Sequence, residues 1–275
     1  MTTWFITGTS SGFGRTLTEQ LLSQGDRVAA TLRRPERLDD LKKTYGDRLW
    51  TAQLDVTDHA RVREVVTDAF DALGTIDVVV NNAGYGLFAA VEEPSDEQIQ
   101  RVIDTDLIGS IAVIRAALPH LRSQGHGHIV QISSAGGQAA YAGFSAYHAA
   151  KWGIEGFCET VALEVAPFNI GVTIVEPGAT STGFSDAVVR AKAIEDYDKS
   201  PAGQARKAID SGTFVFPNDR DKVVAAIIDT VKSDSAPLRL PLGVDTYKDI
   251  DEQLTSRLRE HEAHKDIALS VVTDD

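Results

Sequence analysis

Thr7-Gly8-Thr9-Ser10-Ser11-Gly12-Phe13-Gly14 is the stretch of this 275-residue chain that decides its fold. It follows a β-rich run, Trp4-Phe5-Ile6-Thr7, and leads into a helical run from Arg15 to Ser23. Glycines at 8, 12 and 14 allow a tight turn and a close backbone approach to a ligand. The helix beyond them aims its first amides and the positive end of its dipole at a phosphate. The spacing is neither G-x-G-x-x-G nor that of a loop ending in Lys-Ser/Thr, so by itself the loop could be a glycine-rich turn without a ligand. Its place between a strand and a helix favours a dinucleotide pyrophosphate.

Working outward, short β-rich runs alternate with amphipathic ones. Strands are expected over Arg27–Thr31, Leu49–Leu54, Ile76–Val80, His128–Ile132, Ile170–Val175 and Leu238–Leu242. Helices are expected to begin at Pro35 and to run over Ala60–Leu73, Ala146–Val165, Asp219–Lys232 and Val244–Ala263. Ser95 with Gln98 has capping-box spacing and predicts one long helix reaching toward Pro119. Nearly continuous apolar strands suit a sheet covered on both faces, and the β-α-β-α order predicts an α/β, doubly wound parallel sheet in three layers. The expectation is one domain over 1–275. Its irregular 179–216 stretch serves as a substrate-loop region, and 238–275 forms a C-terminal strand and helix.

Charge adds a further clue. The chain carries 27 Lys plus Arg against 40 Asp plus Glu, a net charge of -13, which argues against nucleic acid or an anionic membrane as partner. Yet residues 1–50 hold 8 basic and 6 acidic groups. Leu32-Arg33-Arg34 stands just past the second strand, where arginine accepts the 2′-phosphate of NADP and an acidic residue would instead hold the ribose of NAD. Arg15 and Arg37 are expected beside the same phosphate. NADP(H) is the predicted cofactor. The single cysteine, Cys158, excludes an intramolecular disulfide and fits a reducing, cytoplasmic setting. The short apolar start is not a signal-peptide core, and no run has the length of a membrane span. No metal site is expected: His126 and His128 enter a strand, and His261 and His264 lie on a charged helix.

Tyr147 and Lys151 share one helix face, where an ammonium can stabilise a phenolate. Such a pair is common by chance. Together with the loop from Thr7 to Gly14, Asn81-Asn82-Ala83-Gly84, Ser134 and Pro177-Gly178, it resembles the classical short-chain dehydrogenase/reductases over about Thr3 to Thr182. The resemblance implies a Rossmann-like fold and a hydride transfer between NADP(H) and a ketone, aldehyde or secondary alcohol. It implies Tyr147 as acid and base, Ser134 orienting the carbonyl oxygen, and Lys151 lowering the tyrosine pKa and gripping ribose. Asp55 and Val56 would meet the adenine, Asn82, Ala83 and Gly84 would line the adenosine side, and Pro177, Gly178 and Thr182 would seat the carboxamide. Asp106, in Asp106-Leu107-Ile108-Gly109, stands where the family usually has asparagine, and it is expected to hold the lysine charge and alter the tyrosine pKa. A homodimer or homotetramer is implied. Tyr85, Leu87, Phe88, Tyr141, Phe144 and Phe184 are expected to form an apolar substrate wall, and His148 to lie on the helix surface. Two other readings of the same motifs are a non-redox epimerase or lyase and a low-turnover NADP-sensing module.

Overall fold

The computed structural model describes residues 1–181, 188–233 and 235–273. Its centre is a parallel sheet of seven strands: β1 (Thr3–Thr7), β2 (Arg27–Leu32), β3 (Leu49–Gln53), β4 (Val78–Asn81), β6 (Gly127–Ile132), β7 (Ile170–Pro177) and β9 (Arg239–Leu242). Their order is β3-β2-β1-β4-β6-β7-β9. Crossover helices connect them: α1 (Gly12–Ser23), α2 (Asp39–Tyr45), α3 (His59–Leu73), α5 (Ser110–Gln124), α6 (Ser145–Val165) and α8 (Arg220–Val231). A short parallel pair, β5 (Leu87–Phe88) with β8 (Val189–Arg190), lies outside the main sheet.

Alternation along each strand divides the core in two. Phe5, Ala29, Val79, Ile129 and Ile174 face Val62, Val66, Ile114, Leu121, Ile154 and Val161. Their chain neighbours Trp4, Ile6, Val28, Val80, Val130 and Val175 face Leu17, Leu21, Leu22, Val224, Ile227 and Ile228. A strand buried on both faces has no polar side to show, which is why these runs read as continuously apolar. The three-layer expectation holds.

Two local expectations change. The helix started by the Ser95–Gln98 capping box, α4 (Asp96–Ile103), does not run straight on. It passes through a π-helical turn, Asp104–Gly109, before α5 resumes and continues past Pro119 to Gln124. The wider turn carries Asp106 into the interior, and Gly109 packs on Val56 so closely that a Cβ would sit 2.8 Å from its methyl. Pro119 is exposed, as is Arg115 one turn before it, so the carbonyl left without an amide faces water rather than core. The 179–216 stretch also holds more order than expected, with β8 and a helix α7 (Pro201–Asp210). Ser200 caps α7 by accepting from the Gly203 amide, and Pro201 fills the first turn, where no amide is needed.

Past β9, α9 (Val244–Ala263) packs back toward α6, with Arg257 over the Trp152 ring, and α10 (Lys265–Leu269) follows. Among the described residues no helix is long and apolar enough to cross a membrane. Every loop that leaves the carboxyl ends of β1, β2, β3, β4, β6 and β7 opens on the same edge of the sheet. That edge is where ligands bind in open parallel sheets.

Candidate functional site

Thr7 ends β1, and its side chain and backbone fasten the glycine loop to β4. Its hydroxyl accepts from the amides of Asn82 and Ala83, both at 3.0 Å. The Asn82 amide group returns two bonds, to the carbonyls of Thr7 at 2.8 Å and Gly8 at 3.0 Å. Gly8 turns with φ of 73°, and a Cβ there would lie 2.8 Å from Ala83 Cα. A Cβ on Gly14 would lie 2.4 Å from Asn82 Nδ2 and 2.5 Å from the Gly8 carbonyl. Both glycines are therefore required by packing. Ser11 begins α1 without capping it through its side chain, so the first amides of the helix face the cavity.

A cavity of about 1600 Å³ runs from this loop to the first two turns of α6. Gly8, Ser10, Ser11, Gly12, Phe13, Arg33, Asp55, Val56, Asn82, Ala83 and Gly84 line one end. Ser134, Tyr147, Lys151, Pro177 and Gly178 line the other. Gly14 sits behind the loop and acts through packing. Thr182 and Phe184 lie outside the described residues. Uncapped amides, a glycine cradle without Cβ atoms and an arginine beyond the second strand fit a phosphate-bearing dinucleotide.

The basic head needs correction. Arg33 lines the cavity and Arg34 does not, although both are exposed. Arg15 turns away: its guanidinium pairs with Glu19 at 2.6 Å and with Asp40, and donates to the Arg37 carbonyl at 2.8 Å. Those two carboxylates, one on the same helix face and one on α2, hold it as a strut between helices.

On α6, Tyr147 and Lys151 are both buried, at 7% and 6% exposure. The Lys151 ammonium donates to the Ile132 carbonyl at 3.2 Å and lies 3.3 Å from Asp106 Oδ2. Asp106 is fully buried, and its other oxygen accepts from the Tyr85 amide at 3.0 Å. Gly84 leaves room for it, since a Cβ there would be 2.9 Å from Oδ2. Asp106 thus lies beneath the cavity, behind the lining residues Gly84, Tyr85 and Lys151. Burial opposes the ammonium, but Asp106 and Tyr147 outweigh it and hold Lys151 above the ordinary lysine value. Burial pushes Asp106 above the usual carboxylate range, with Lys151 and the Tyr85 amide pulling it back.

The tyrosine departs from expectation in one respect. Lys151 does lower the Tyr147 pKa, as does a hydrogen bond with Ser134, but burial is the larger effect and Asp106 adds to it. Tyr147 therefore lies above the ordinary tyrosine value. The Ser134 hydroxyl also accepts from the Gly136 amide at 3.0 Å, which fixes its direction.

The far wall is aromatic. Tyr85, Phe88, Tyr141 and Phe144 line the cavity as expected, while Leu87 is buried in the core beside them. His148 is a correction: it is 9% exposed, lines the cavity, and stacks on Phe144 at 5.9 Å. Burial lowers its pKa to about 4, so it presents a neutral ring. No residue pattern marks this, because it depends on the turn at Gly143, with φ of 91°, that brings Tyr141 and Phe144 over His148. Phe214, Val215 and Phe216 close the opposite side, exposed yet facing the same space.

Comparison with known proteins agrees with this geometry. The short chain dehydrogenase family model matches residues 2–193. Oxidoreductase BOA17 of Botryotinia fuckeliana (strain B05.10) is 36% identical over 246 residues, covering 89% of this chain and 90% of that protein. The NADP-dependent 3-hydroxy acid dehydrogenase YdfG of Escherichia coli (strain K12) is 35% identical over 221 residues, covering 80% and 86%. The crystal structure of a short-chain dehydrogenase from Streptomyces avermitilis superposes with a TM-score of 0.90 at 38% identity, covering 98% of each chain. With its parallel sheet, its glycine loop and its buried Tyr-Lys helix, this chain belongs to the short-chain dehydrogenase/reductase family and is an oxidoreductase of that family.

Proposed function

We propose that residues 1–275 form one NADP(H)-dependent enzyme that transfers a hydride between the nicotinamide and a ketone or aldehyde, or the corresponding secondary alcohol, carrying an apolar or aromatic part. The observation that carries this reading is the convergence of Ser134, Tyr147 and Lys151 on the cavity that the glycine loop also lines. A relative of similar length is an NADP-dependent dehydrogenase, and Arg33 supplies the cation that a 2′-phosphate needs.

NADPH would supply the hydride; the protein supplies position, charge and a proton. The loop amides and Arg33 hold the phosphates. Pro177 and Gly178 seat the carboxamide end, and Asp55, Val56, Asn82, Ala83 and Gly84 hold the adenosine. Lys151, kept ionised by Asp106, reaches the ribose. The Ser134 hydroxyl orients the substrate oxygen, and the Tyr147 hydroxyl donates its proton to that oxygen in reduction. A phenol raised above ~10 stays protonated at neutral pH. It is therefore a ready donor for reduction, and it becomes a base for oxidation only as the pH climbs. The aromatic wall and the Phe214–Phe216 face suit an apolar substrate body.

Three outcomes follow. Against a broad panel of carbonyl compounds the protein should oxidise NADPH, and Tyr147→Phe should lower kcat by roughly 10²–10⁴-fold, the range of a lost general acid; turnover untouched by that change would contradict the role. Replacing Arg33 by a neutral residue should weaken NADPH binding roughly tenfold or more and leave NADH binding unchanged, the loss of one charge-assisted phosphate contact; calorimetric titration with both nucleotides reads the ratio directly. Asp106→Asn removes the charge that raises Tyr147. The alkaline rise of alcohol oxidation should then move down by about one pH unit, the size of a near-charge effect. An unchanged profile would remove Asp106 from the pKa argument.

A further inference from the structure

Beneath the catalytic loop lies a buried cluster that the mechanism above does not use. Ser133, the neighbour of Ser134, donates its hydroxyl to Glu155 Oε1 at 2.5 Å. Glu155 stands on α6 one turn beyond Lys151 and is 2% exposed. Its other oxygen meets Arg239 Nη1 of β9 at 2.6 Å. The same nitrogen pairs with Oε1 of Glu176, which lies at the end of β7 directly before Pro177 and Gly178. That oxygen also accepts from Gln138 Nε2 at 2.8 Å. Glu176 Oε2 is buried and has no hydrogen-bond partner among the described residues. Gly137 is what makes the cluster fit, since a Cβ there would fall 1.7 Å from Glu155 Oε1. Outside it, Arg257 of α9 donates to the Gln138 carbonyl and stacks on Trp152 at 4.4 Å. The loop from Ser133 to Gln138 is thus tied at both ends to two buried carboxylates.

The charges do not balance if both carboxylates are ionised. Facing them are Lys151, Tyr147, Cys158 and Glu159 on α6, Arg239 on β9 and Arg257 on α9, while Asp245 of α9 lies further off, beside Gly178. Lys151 is matched by Asp106, Arg239 also serves Glu159, and Arg257 binds a carbonyl rather than a carboxylate. Two buried anions then share one guanidinium, and a bare carboxylate oxygen away from water is strongly unfavourable. A proton on one of the two removes the excess. Both oxygens of Glu155 are engaged, whereas Glu176 Oε2 is free to carry it.

We propose that Glu176 is a positioning residue that works as a neutral carboxylic acid, holding the one proton it shares with Glu155 so that Arg239 can clamp both side chains and keep the Ser133–Gln138 loop, with Ser134, in its reactive position. Burial pushes Glu176 up to about 7; the Glu155 charge adds to this and Arg239 opposes it. Because the folded protein holds this proton more tightly than the unfolded chain, the restraint is complete below the ordinary carboxylate range. It is lost as the pH rises through the raised value. Above it, two like charges face each other across one arginine and the loop loosens.

Infrared difference spectroscopy on the full chain tests the proton, and kinetics tests its consequence. The wild type should show a protonated-carboxyl band near about pH 6 that is gone by about pH 8.5, and Glu176→Gln should lack that titrating band. Glu155→Gln, which removes the opposing charge, should move the loss of the band down by about one pH unit or more. In carbonyl reduction, where Tyr147 stays protonated throughout this range, kcat of the wild type should fall about threefold or more between those pH values, with KM unchanged, while Glu176→Gln stays flat. A band that persists in Glu176→Gln, a band unmoved by Glu155→Gln, or superimposable kinetic profiles would overturn the proposal. The kinetic arm rests on the reductase reading and the infrared arm does not. Absence of turnover with a normal infrared titration would therefore fault that reading, not the shared proton.

Discussion

The ion pair between Asp106 and Lys151 is the interaction around which the floor of the cavity is arranged. Both groups are buried, and each offsets part of the desolvation that the other suffers there. The pair accounts for three features at once. The helix between Ser95 and Gln124 widens into a π turn at Asp104–Gly109, which carries Asp106 inward. Gly84 has no Cβ to block the carboxylate, and the Tyr85 amide satisfies its second oxygen. Losing one partner would strand the other in the interior, at a penalty of about 3–5 kcal/mol. The pair therefore joins the π turn to α6 as well as tuning what lies above it.

What lies above is a tyrosine pulled in two directions. Lys151 favours its phenolate, while burial and Asp106 favour the phenol, and the phenol prevails. In the proposed reaction this biases the site toward giving a proton. The second buried set, Glu155, Arg239 and Glu176, repeats the theme one turn further along α6, with a serine and a glutamine of the catalytic loop as the neutral partners.

Much of this was legible in the sequence. The glycine loop, Asn82, Ser134, Tyr147 and Lys151 line one cavity, where the family resemblance placed them, because each sits at the carboxyl end of a strand or on the first turns of a helix, where the fold leaves little freedom. Strands buried on both faces announce themselves as apolar runs, so the sheet was also readable. What escaped depends on side-chain contacts and local backbone geometry that no residue pattern announces. Arg15 looked like a phosphate ligand because Asp40, on another helix, cannot be seen from position 15. The π turn has no residue signature of its own; it follows from where Asp106 must go. His148 looked like a surface group until Phe144 and Tyr141 folded over it. Glu155, Glu176 and Arg239 are ordinary charged residues in separate elements, and only their assembly sets two buried carboxylates against one guanidinium. Ser200-Pro201 was a readable helix start within a stretch otherwise hard to assign.

The central claim is that this cavity passes a hydride from nicotinamide to a carbonyl carbon while Tyr147 supplies the proton. The most direct measurement uses NADPH carrying deuterium at the transferred position of C4, with mass and NMR analysis of the product of any carbonyl compound the protein turns over. The account predicts one deuterium on the carbinol carbon and none on oxygen or neighbouring carbons after work-up in ordinary water. Product formed without deuterium on that carbon, with the label still on the nucleotide, would contradict it and place the chemistry outside hydride transfer.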